Sequence, residues 1–541
     1  MNKINLFLSS RFASIAFLII AIFSRIVNVF YVSYAGRDKM FVVMQSKSLL
    51  EGKGLGVPGY FTSNPSVPVF DYTPMWPPGY PVLLAPFLRI FNYDIYWATT
   101  VLDIIACVAL IFLIRKICRQ LQFPVAAINL MTLVAGCFEY TFINDSKPTD
   151  NVPIFIFLLG ISLVIKLVST NRFSFSSVLL AAIVLFVPTV FRYSYPPLSI
   201  AVAISVLLVG FIKKETILKK KGVSLFALTI LLIAVFFIAM KLATGYAGYA
   251  VPTARGYFPE NLVHWFPIVP ASFMNLAFLT SQTLRVAGLS FDATMQLLEV
   301  VNVIAIFSLV TVFLYLFFNK RFLASLTPFK WFFITGFFAS AATFISLGYL
   351  SLTYEMQRWL DYEWSYVYDH RYYAFTVVFL QIAFLGWIYL HKESLKSFIL
   401  KFIAIISGLF LFIEVTHNIY FHTKVAFNFK KYKSEVFREQ DYVYFFRLMD
   451  ELEKKYPTHD IWAAASGDDF YPYTATYKRH IGIMDAAAFK TKTISVKKKT
   501  ILALMLYDHD VEFYKDFLSR SKIEFTHKIA NSNYYIIELL P

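Results

Sequence analysis

Long apolar runs separated by short polar connections make up most of this chain. Each run contains roughly the 20 residues that cross a hydrocarbon layer about 30 Å thick. Because backbone N–H and C=O groups find no water in lipid, such runs are expected to form helices. The pattern predicts eleven membrane-spanning helices, at about residues 12–32, 94–114, 124–143, 151–168, 174–191, 196–212, 222–242, 294–318, 329–350, 371–390 and 398–419.

The segment 420–541 has a different pattern, in which short apolar stretches alternate with charged residues. "EVFREQDYVYFFRLMDELEKKYP" predicts an amphipathic helix, and "DIWAAASG" and "NSNYYIIELLP" predict strands. "VEFYKDFLSR" predicts a second helix between these strands. The sequence therefore divides into a polytopic α-helical membrane domain, residues 1–419, and a C-terminal soluble α/β domain, residues 420–541.

The composition agrees with a polytopic membrane protein. Hydrophobic residues make up 58% of the 541 residues and charged residues 16%, whereas soluble domains carry about 25% charged residues. The net charge is +16, and the lysines and arginines concentrate in short connections such as residues 115–119 and 213–221. This is the pattern of cytoplasmic loops, so the positive charge indicates membrane topology and no nucleic-acid partner is expected. The three cysteines form no Cys-x-x-Cys pair, and neither a disulfide framework nor a cysteine metal site is predicted.

The same charge pattern orients the chain in the membrane. It places the N-terminus in the cytoplasm and, because the number of spans is odd, the C-terminal domain on the non-cytoplasmic face. Three longer segments share that face, at about residues 34–93, 243–293 and 351–370, and the second is expected to contain interfacial helices near 262–287. We expect an integral protein of a bacterial inner (plasma) membrane whose chemistry-bearing residues collect on the outer face.

Several motifs follow one another along the membrane domain. Arg25 lies in the first span and Asp38 follows it; "LLEGKG" ends a short amphipathic stretch, and "PPGYP" at residues 77–81 precedes a short apolar piece. Later come "NDSKPTDNVPIFIFLLGISL", "FRYSYPPL" and "DHRYYAFTVVF". In this order, over about residues 12–420, the chain resembles the GT-C superfamily of membrane glycosyltransferases. The branch it resembles contains the protein O-mannosyltransferases and the lipid A aminoarabinose transferase, and residues 420–541 are similar to the α/β domain that many bacterial members carry outside the membrane.

The resemblance implies an inverting glycosyltransferase that uses a polyprenyl-phosphate-linked sugar donor. The acceptor would be a lipid, a glycan or a protein, and membrane lipids would surround the site. A hydroxyl that attacks the anomeric carbon needs a base, and the departing phosphate needs positive charge or hydrogen-bond donors. The resemblance implies Asp38 as the base and Asp150 as a second catalytic residue. The phosphate ligands are expected among the basic residues of the outer face: Lys147, Arg192, Arg255, Arg358 and Arg371.

Each of these residues also has a structural explanation. Asp38 lies between two basic residues, which could form a local ion pair with it, and Asp150 could cap the span that follows it. Arg192 and Arg371 stand at span ends, where arginines extend towards lipid headgroups. Arg25 lies within a span, where a charge usually faces a cavity or a partner. No metal-ligand spacing is evident, and the resemblance leaves a divalent cation open as a cofactor.

Two other functions are compatible with this topology. A transporter or flippase of lipid-linked sugars would share the aromatic outer segments and the arginines. It would more often show internal repeats and broken helices near the bilayer midplane, which this sequence does not show clearly. A polymerase or ligase of surface polysaccharide would need arginines and a histidine in an outer segment, and His264 and His370 are candidates for that histidine.

Overall fold

Each of the eleven apolar runs forms a helix in the computed structural model, which confirms the predicted polytopic α-helical class. The structure describes residues 2–32, 37–59, 69–72, 76–138, 150–248, 257–259, 265–353, 370–390, 398–428, 439–465, 482–485, 496, 498–529 and 532–541. The helices up to the C-terminal domain are α1 Asn2–Leu8, α2 Arg11–Val32, α3 Arg37–Leu50, α4 Gly79–Ile90, α5 Ile95–Gln120, α6 Val125–Cys137, α7 Asn151–Val168, α8 Phe175–Phe191, α9 Tyr195–Ile212, α10 Thr216–Thr244, α11 Ile268–Ala271, α12 Leu276–Ala287, α13 Phe291–Phe318, α14 Lys320–Ala324, α15 Pro328–Thr353, α16 Ala374–Leu390 and α17 Phe398–Phe427. A short 3-10 helix, His370–Tyr373, leads into α16.

Length and hydropathy separate these helices into two groups. Within the described ranges, nine helices are long and apolar enough to cross a membrane, and α4, α6 and α8 are shorter apolar helices. Buried apolar side chains join most of the bundle in one continuous cluster. α10, α13 and α17 instead expose long rows of apolar side chains, as helices that face lipid do.

Small residues allow the closest helix contacts. Gly136 of α6 lies directly against Ala21 of α2, so that a Cβ atom at residue 136 would collide with the backbone of Ala21. Such approaches are typical of helices packed in membranes, where association depends on close van der Waals contact.

An unwound segment enters the helix bundle between α13, α16 and α17. Phe266 stacks on Tyr373 at the start of α16, with the ring centroids 5.6 Å apart. Further on, the Ser272 carbonyl accepts a 2.9 Å hydrogen bond from Gln381, which lies about 12 Å farther along α16. α12 then returns the chain to the same end of the bundle, where α13 begins at Phe291. We call residues 265–287 the re-entrant segment.

Polar side chains of the neighbouring helices satisfy the backbone of the re-entrant segment. Asn302 of α13 accepts a 2.9 Å bond from the Val269 N–H and donates a 3.0 Å bond to the Phe266 carbonyl. Glu414 of α17 accepts a 3.1 Å bond from the Asn275 N–H. Because an unpaired backbone group in lipid costs several kcal/mol, these bonds explain how non-helical backbone is accommodated at this depth. The interfacial helices expected near 262–287 are thus one inserted helix, α12, one short turn, α11, and an unwound stretch.

Two sheets lie at one end of the bundle. β1 Gly56–Gly59 and β2 Val69–Tyr72 form an antiparallel hairpin after α3. The C-terminal domain contains α18 Glu439–Lys455, the 3-10 helix Val511–Tyr514, α19 Lys515–Arg520 and a five-stranded sheet in the order β4-β3-β5-β7-β6. Its strands are β3 Asp460–Ala465, β4 Gly482–Asp485, β5 Thr500–Tyr507, β6 Lys522–Ile529 and β7 Ser532–Leu539. β3 runs parallel to β4 and β5, whereas β7 pairs antiparallel with β5 and β6.

The C-terminal domain packs against α3. Met44 of α3 and Val57 of β1 belong to the same buried cluster as Phe445 and Leu448 of α18. The division of the chain at residues 419 and 420 stays a prediction, and α17 continues to Phe427 before the C-terminal domain begins.

Candidate active site

A cavity of about 500 Å³ lies at the same end of the helix bundle as the hairpin. Its walls come from the start of α7, the corner between α8 and α9, the second half of α15 and the start of α16. Apolar side chains form most of the wall, among them Pro197, Leu198, Leu347, Leu350 and Phe375. Hydroxyl groups and two charged residues complete it: Tyr193, Tyr195, Tyr349, Tyr372, Ser194, Ser346, Thr343, Asp150 and Arg371.

An ion pair between Asp150 and Arg192 stands at the edge of this cavity. Both Nε and Nη2 of Arg192 contact the same carboxylate oxygen of Asp150, and both side chains are largely buried. Asp150 immediately precedes α7 but makes no capping hydrogen bond. The Asp150 carboxylate therefore takes part in an ion pair and does not form the helix cap considered from the sequence, and the pair ties the start of α7 to the end of α8.

Arg371 lines the cavity beside the ion pair. Its guanidinium lies 5.0 Å from the ring centroid of Tyr372, and its Nη2 donates a 3.4 Å hydrogen bond to the Tyr372 hydroxyl. The guanidinium of Arg192 approaches the same ring to 5.8 Å. Two guanidinium groups thus approach the ring of Tyr372, and one of them is paired with the Asp150 carboxylate, so that the three charged groups together carry one excess positive charge. Such a cluster is suited to an anion such as a phosphate group.

The "PPGYP" motif places α4 against this cluster. Gly79, the first residue of α4, lies so close to α8 that a Cβ atom there would stand 2.6 Å from the Val190 carbonyl oxygen. Any larger residue would push α4 away from the end of α8, two residues before Arg192. The glycine of the motif therefore has a packing role next to the ion pair.

A chain of aromatic residues connects α3 to the cavity. Phe41 of α3 stacks on Trp76, with ring centroids 4.6 Å apart, and the Trp76 carbonyl accepts a 3.2 Å bond from the Tyr72 hydroxyl. The hydroxyl oxygens of Tyr72 and Tyr193 lie 3.4 Å apart, and Tyr193 lines the cavity. Burial raises the pKa of Tyr72 above its ordinary value, so this hydroxyl stays protonated and able to donate.

The structure brings three of the seven predicted site residues together: Asp150, Arg192 and Arg371. Asp38 is the second residue of α3 and its side chain lies outside what the structure describes, as do Lys147, Arg255 and Arg358. Their roles therefore stay predictions. His264 is likewise outside the described residues, whereas His370 begins the 3-10 helix before α16.

Arg25 has a different environment from the cavity arginines. It is buried inside the bundle and donates to the Phe138 carbonyl at the end of α6. Beside it, Nε2 of His422 in α17 lies 3.0 Å from Nδ2 of Asn28 in α2. These contacts give Arg25 the partner expected of a charge within a span, in a polar cluster that joins α2, α6 and α17.

Residue choice from the sequence missed the tyrosines that assemble the site. Tyr72, Tyr193 and Tyr372 each contact another part of the site, but all three look like ordinary interfacial aromatics in the sequence. Their place in the sequence could have indicated this role, because Tyr193 directly follows Arg192 and Tyr372 directly follows Arg371. In the part of the chain that the structure describes, no three His, Cys, Asp or Glu side chains are grouped to hold a metal ion, and the divalent cation stays an untested expectation.

No protein-family model and no curated protein matches the chain by sequence. Solved structures do match. ArnT from Cupriavidus metallidurans in the apo state matches with a TM-score of 0.51 and 10% identity, over 97% of each chain. The same protein bound to undecaprenyl phosphate gives a TM-score of 0.44 at 10% identity, again over 97% of each chain. The oligosaccharyltransferase AglB from Archaeoglobus fulgidus, in complex with an inhibitory peptide and a dolichol-phosphate, gives 0.45 at 12% identity, over 97% of this chain and 73% of AglB.

At such low sequence identities, similarity to a solved structure is evidence for the fold alone. The comparison that supports the fold is the one with apo ArnT, whose TM-score exceeds 0.5. ArnT, a lipid A aminoarabinose transferase, is a GT-C superfamily member. The GT-C fold predicted from the sequence is confirmed.

Proposed function

We propose that this chain, which has the GT-C fold, is a membrane glycosyltransferase that moves a sugar from a polyprenyl-phosphate carrier to an acceptor. The sugar would be a hexose or a pentose, and the acceptor a lipid, a glycan or a protein. The reaction would take place on the non-cytoplasmic face of a bacterial inner membrane, with the N-terminus in the cytoplasm and the C-terminal domain outside. The observation that carries this proposal is the cavity at the bundle end, where Arg371 and the Asp150–Arg192 pair meet apolar walls.

The cavity has the chemistry that a lipid-linked donor needs. Its apolar wall can accept the first units of a hydrocarbon chain, and its hydroxyl groups can bind sugar hydroxyls. The guanidinium of Arg371 can pair with a phosphate oxygen, while Arg192 is held by Asp150 close by. Lys147, Arg255 and Arg358 are proposed as further phosphate ligands from the outer segments.

The reaction proceeds as a direct displacement. The acceptor hydroxyl gives its proton to the carboxylate of Asp38 while its oxygen attacks the anomeric carbon. The bond between that carbon and the phosphate oxygen breaks, and the lipid phosphate leaves with the electron pair. The arginines stabilise the negative charge that develops on the phosphate. One displacement at the anomeric carbon inverts its configuration.

The first prediction tests the two roles separately in purified protein, with radiolabelled polyprenyl-phosphate sugars as donors. We expect Asp38→Asn to lower the transfer rate by about 10²- to 10⁴-fold without weakening donor binding, because the amide keeps the shape but accepts no proton. Arg371→Gln should weaken donor binding by about 10- to 100-fold, because it removes a charge-assisted bond to the phosphate.

Arg285→Gln is the matched control, since Arg285 is an exposed arginine at the end of α12 and away from the cavity. Equal transfer by wild type and Asp38→Asn would show that the base is another residue. A wild-type protein that moves the lipid-linked sugar across vesicles without consuming it would be a transporter or flippase, and one that elongates a glycan polymer would be a polymerase or ligase.

A further inference from the structure

The middle of α3 is enclosed on all sides although this helix lies outside the candidate membrane spans. Seven consecutive residues, from Val42 to Ser48, are buried. Four of the seven are polar, and within the described chain neither amide atom of Gln45 has a hydrogen-bond partner. A helix that merely rests on a membrane surface keeps its polar face in water. Other parts of the protein therefore cover the polar residues 45–48 of α3.

Two hydrophobic clusters meet at α3. On one side, Val42 and Val43 pack in a cluster with Trp76 and residues of α4 and α5. On the other side, Met44 packs in a cluster with α18 and the sheet of the C-terminal domain. Contact is continuous between the clusters, because Phe41 of α3 and Phe446 of α18 pack against both.

The same helix leads both to the proposed base and to the cavity. Asp38 lies in the first turn of α3, three residues before Phe41. Phe41 stacks on Trp76, and Trp76 connects through Tyr72 to Tyr193 in the cavity wall. A displacement of α3 by the C-terminal domain would therefore change the distance between residue 38 and the cavity.

We infer that the C-terminal domain positions α3. Phe446 packs against the cluster of Val42, Val43 and Trp76, and this packing holds α3, and with it Asp38, at the reacting centre. This inference rests on the proposed function, in which Asp38 is the base. Phe446 is a positioning residue and touches no substrate. Because misplacement of a catalytic group by about 1 Å can cost 10²-fold in rate, loss of this contact is expected to act on turnover more than on donor binding.

The test compares two alanine variants in the C-terminal domain of the full-length protein. Phe446→Ala truncates the side chain that packs against the cluster of Val42, Val43 and Trp76, and Leu504→Ala truncates a buried side chain in the cluster on the other face of the sheet. We expect Phe446→Ala to lower kcat by about 10- to 100-fold, with KM and the Kd for the donor unchanged. Phe446→Leu should recover most of that loss. Leu504→Ala should retain near wild-type kcat under conditions in which melting curves show both variants folded.

Hydrogen–deuterium exchange of residues 41–50 gives a second readout that needs no activity. Exchange in α3 should rise in Phe446→Ala and stay at the wild-type rate in Leu504→Ala, with α9, which belongs to the cluster of the helix bundle, as the internal reference. Equal kcat loss in the two variants, or unchanged exchange in Phe446→Ala, would overturn the inference. If wild type transfers no sugar, the proposed function fails, while the exchange experiment still decides whether the C-terminal domain holds α3.

Discussion

Asp150 and Arg192 form their ion pair where two helices end, and each has little contact with water. Taking two charges out of water is costly, so a buried pair adds little net stability, but removal of one partner leaves the other charge buried alone. The main effect of the pair is therefore to fix the position of the start of α7 relative to the end of α8. From the sequence, Asp150 could equally be a catalytic residue or a helix cap. The structure excludes the capping role, because the Asp150 side chain makes no capping hydrogen bond.

A second prediction separates the remaining roles of Asp150. We expect Asp150→Asn and Arg192→Gln each to destabilise the protein by about 3–5 kcal/mol, because each removes one charge of a buried ion pair and keeps the other charge buried. The double variant Asp150→Asn/Arg192→Gln should recover part of this loss, measured by thermal unfolding in detergent. Single variants that unfold at the wild-type temperature would contradict the buried-pair argument.

Transfer activity of the same double variant then addresses catalysis. Activity that returns together with stability indicates a positioning role for Asp150. A stable double variant that transfers no sugar indicates that the Asp150 carboxylate contacts the reacting groups.

Helix existence follows from the sequence, whereas several helix ends do not. The predicted span 94–114 stops at Arg115 because charges usually end an apolar run, but α5 continues to Gln120. Arg115 is buried and donates 2.9 Å bonds to Thr132 and Ser14, and these partners are distant in sequence. The unwound part of the re-entrant segment depends on distant partners in the same way, since Asn302, Gln381 and Glu414 bind its backbone from three other helices. Long-range partners decide such cases, and a single sequence does not display them.

α3 carries the third prediction, which concerns the pH dependence of stability. Lys47 is 3% exposed and lies 3.9 Å from Glu51, and burial lowers its pKa from 10.5 to about 8. Between these two values the unfolded chain holds a proton that the folded chain has lost, so stability contributed by this residue rises with pH across that window. Below pH 8 both states are protonated and the full cost of burying the charge remains.

Lys47→Met removes that cost, which a shift of this size places at about 3 kcal/mol. We expect the variant to melt above wild type at pH 7, with the difference shrinking as the pH rises towards 10.5. Lys53→Met, at an exposed lysine six residues later, is the control and should follow wild type at each pH. A Lys47→Met variant that melts below wild type at pH 7 would contradict this prediction, because the interactions of the Lys47 ammonium group, that with Glu51 among them, would then outweigh the cost of burying it.

At the scale of the whole molecule, three of the seven predicted site residues lie together in the described part of the chain, but the sequence does not indicate how they are held. The sequence places Asp150, Arg192 and Arg371 at span ends on one predicted face, and the fold brings those ends together. The ring of Tyr372 between the two guanidinium groups, and the close approach of Gly79 to α8, depend on helix packing. The contact of Arg192 with Tyr372 and that of Gly79 with α8 join residues more than a hundred positions apart, so no local pattern predicts them.

The orientation of the chain in the membrane is the last prediction. Because Cys107, Cys118 and Cys137 are all buried, a single added cysteine can be labelled against a low background. We expect Ser519→Cys, exposed in the C-terminal domain, to react with a membrane-impermeant maleimide in spheroplasts. Asn171→Cys, exposed between α7 and α8, should react only after permeabilisation. The opposite order of labelling would invert the topology and place the cavity in the cytoplasm.

The re-entrant segment has a consequence for how the protein is made. The Asn275 N–H depends on Glu414, 139 residues later in the chain. At a synthesis rate of about 5–20 residues per second, Glu414 follows Asn275 by roughly 7–28 s. During that interval the Asn275 N–H lacks the Glu414 carboxylate as its hydrogen-bond acceptor. An unpaired N–H is costly in lipid, so residues 265–275 are not expected to insert into the bilayer as they emerge. We therefore expect the end of the bundle that holds the re-entrant segment to stay open until α17 arrives, and insertion of the segment to be one of the last steps of folding.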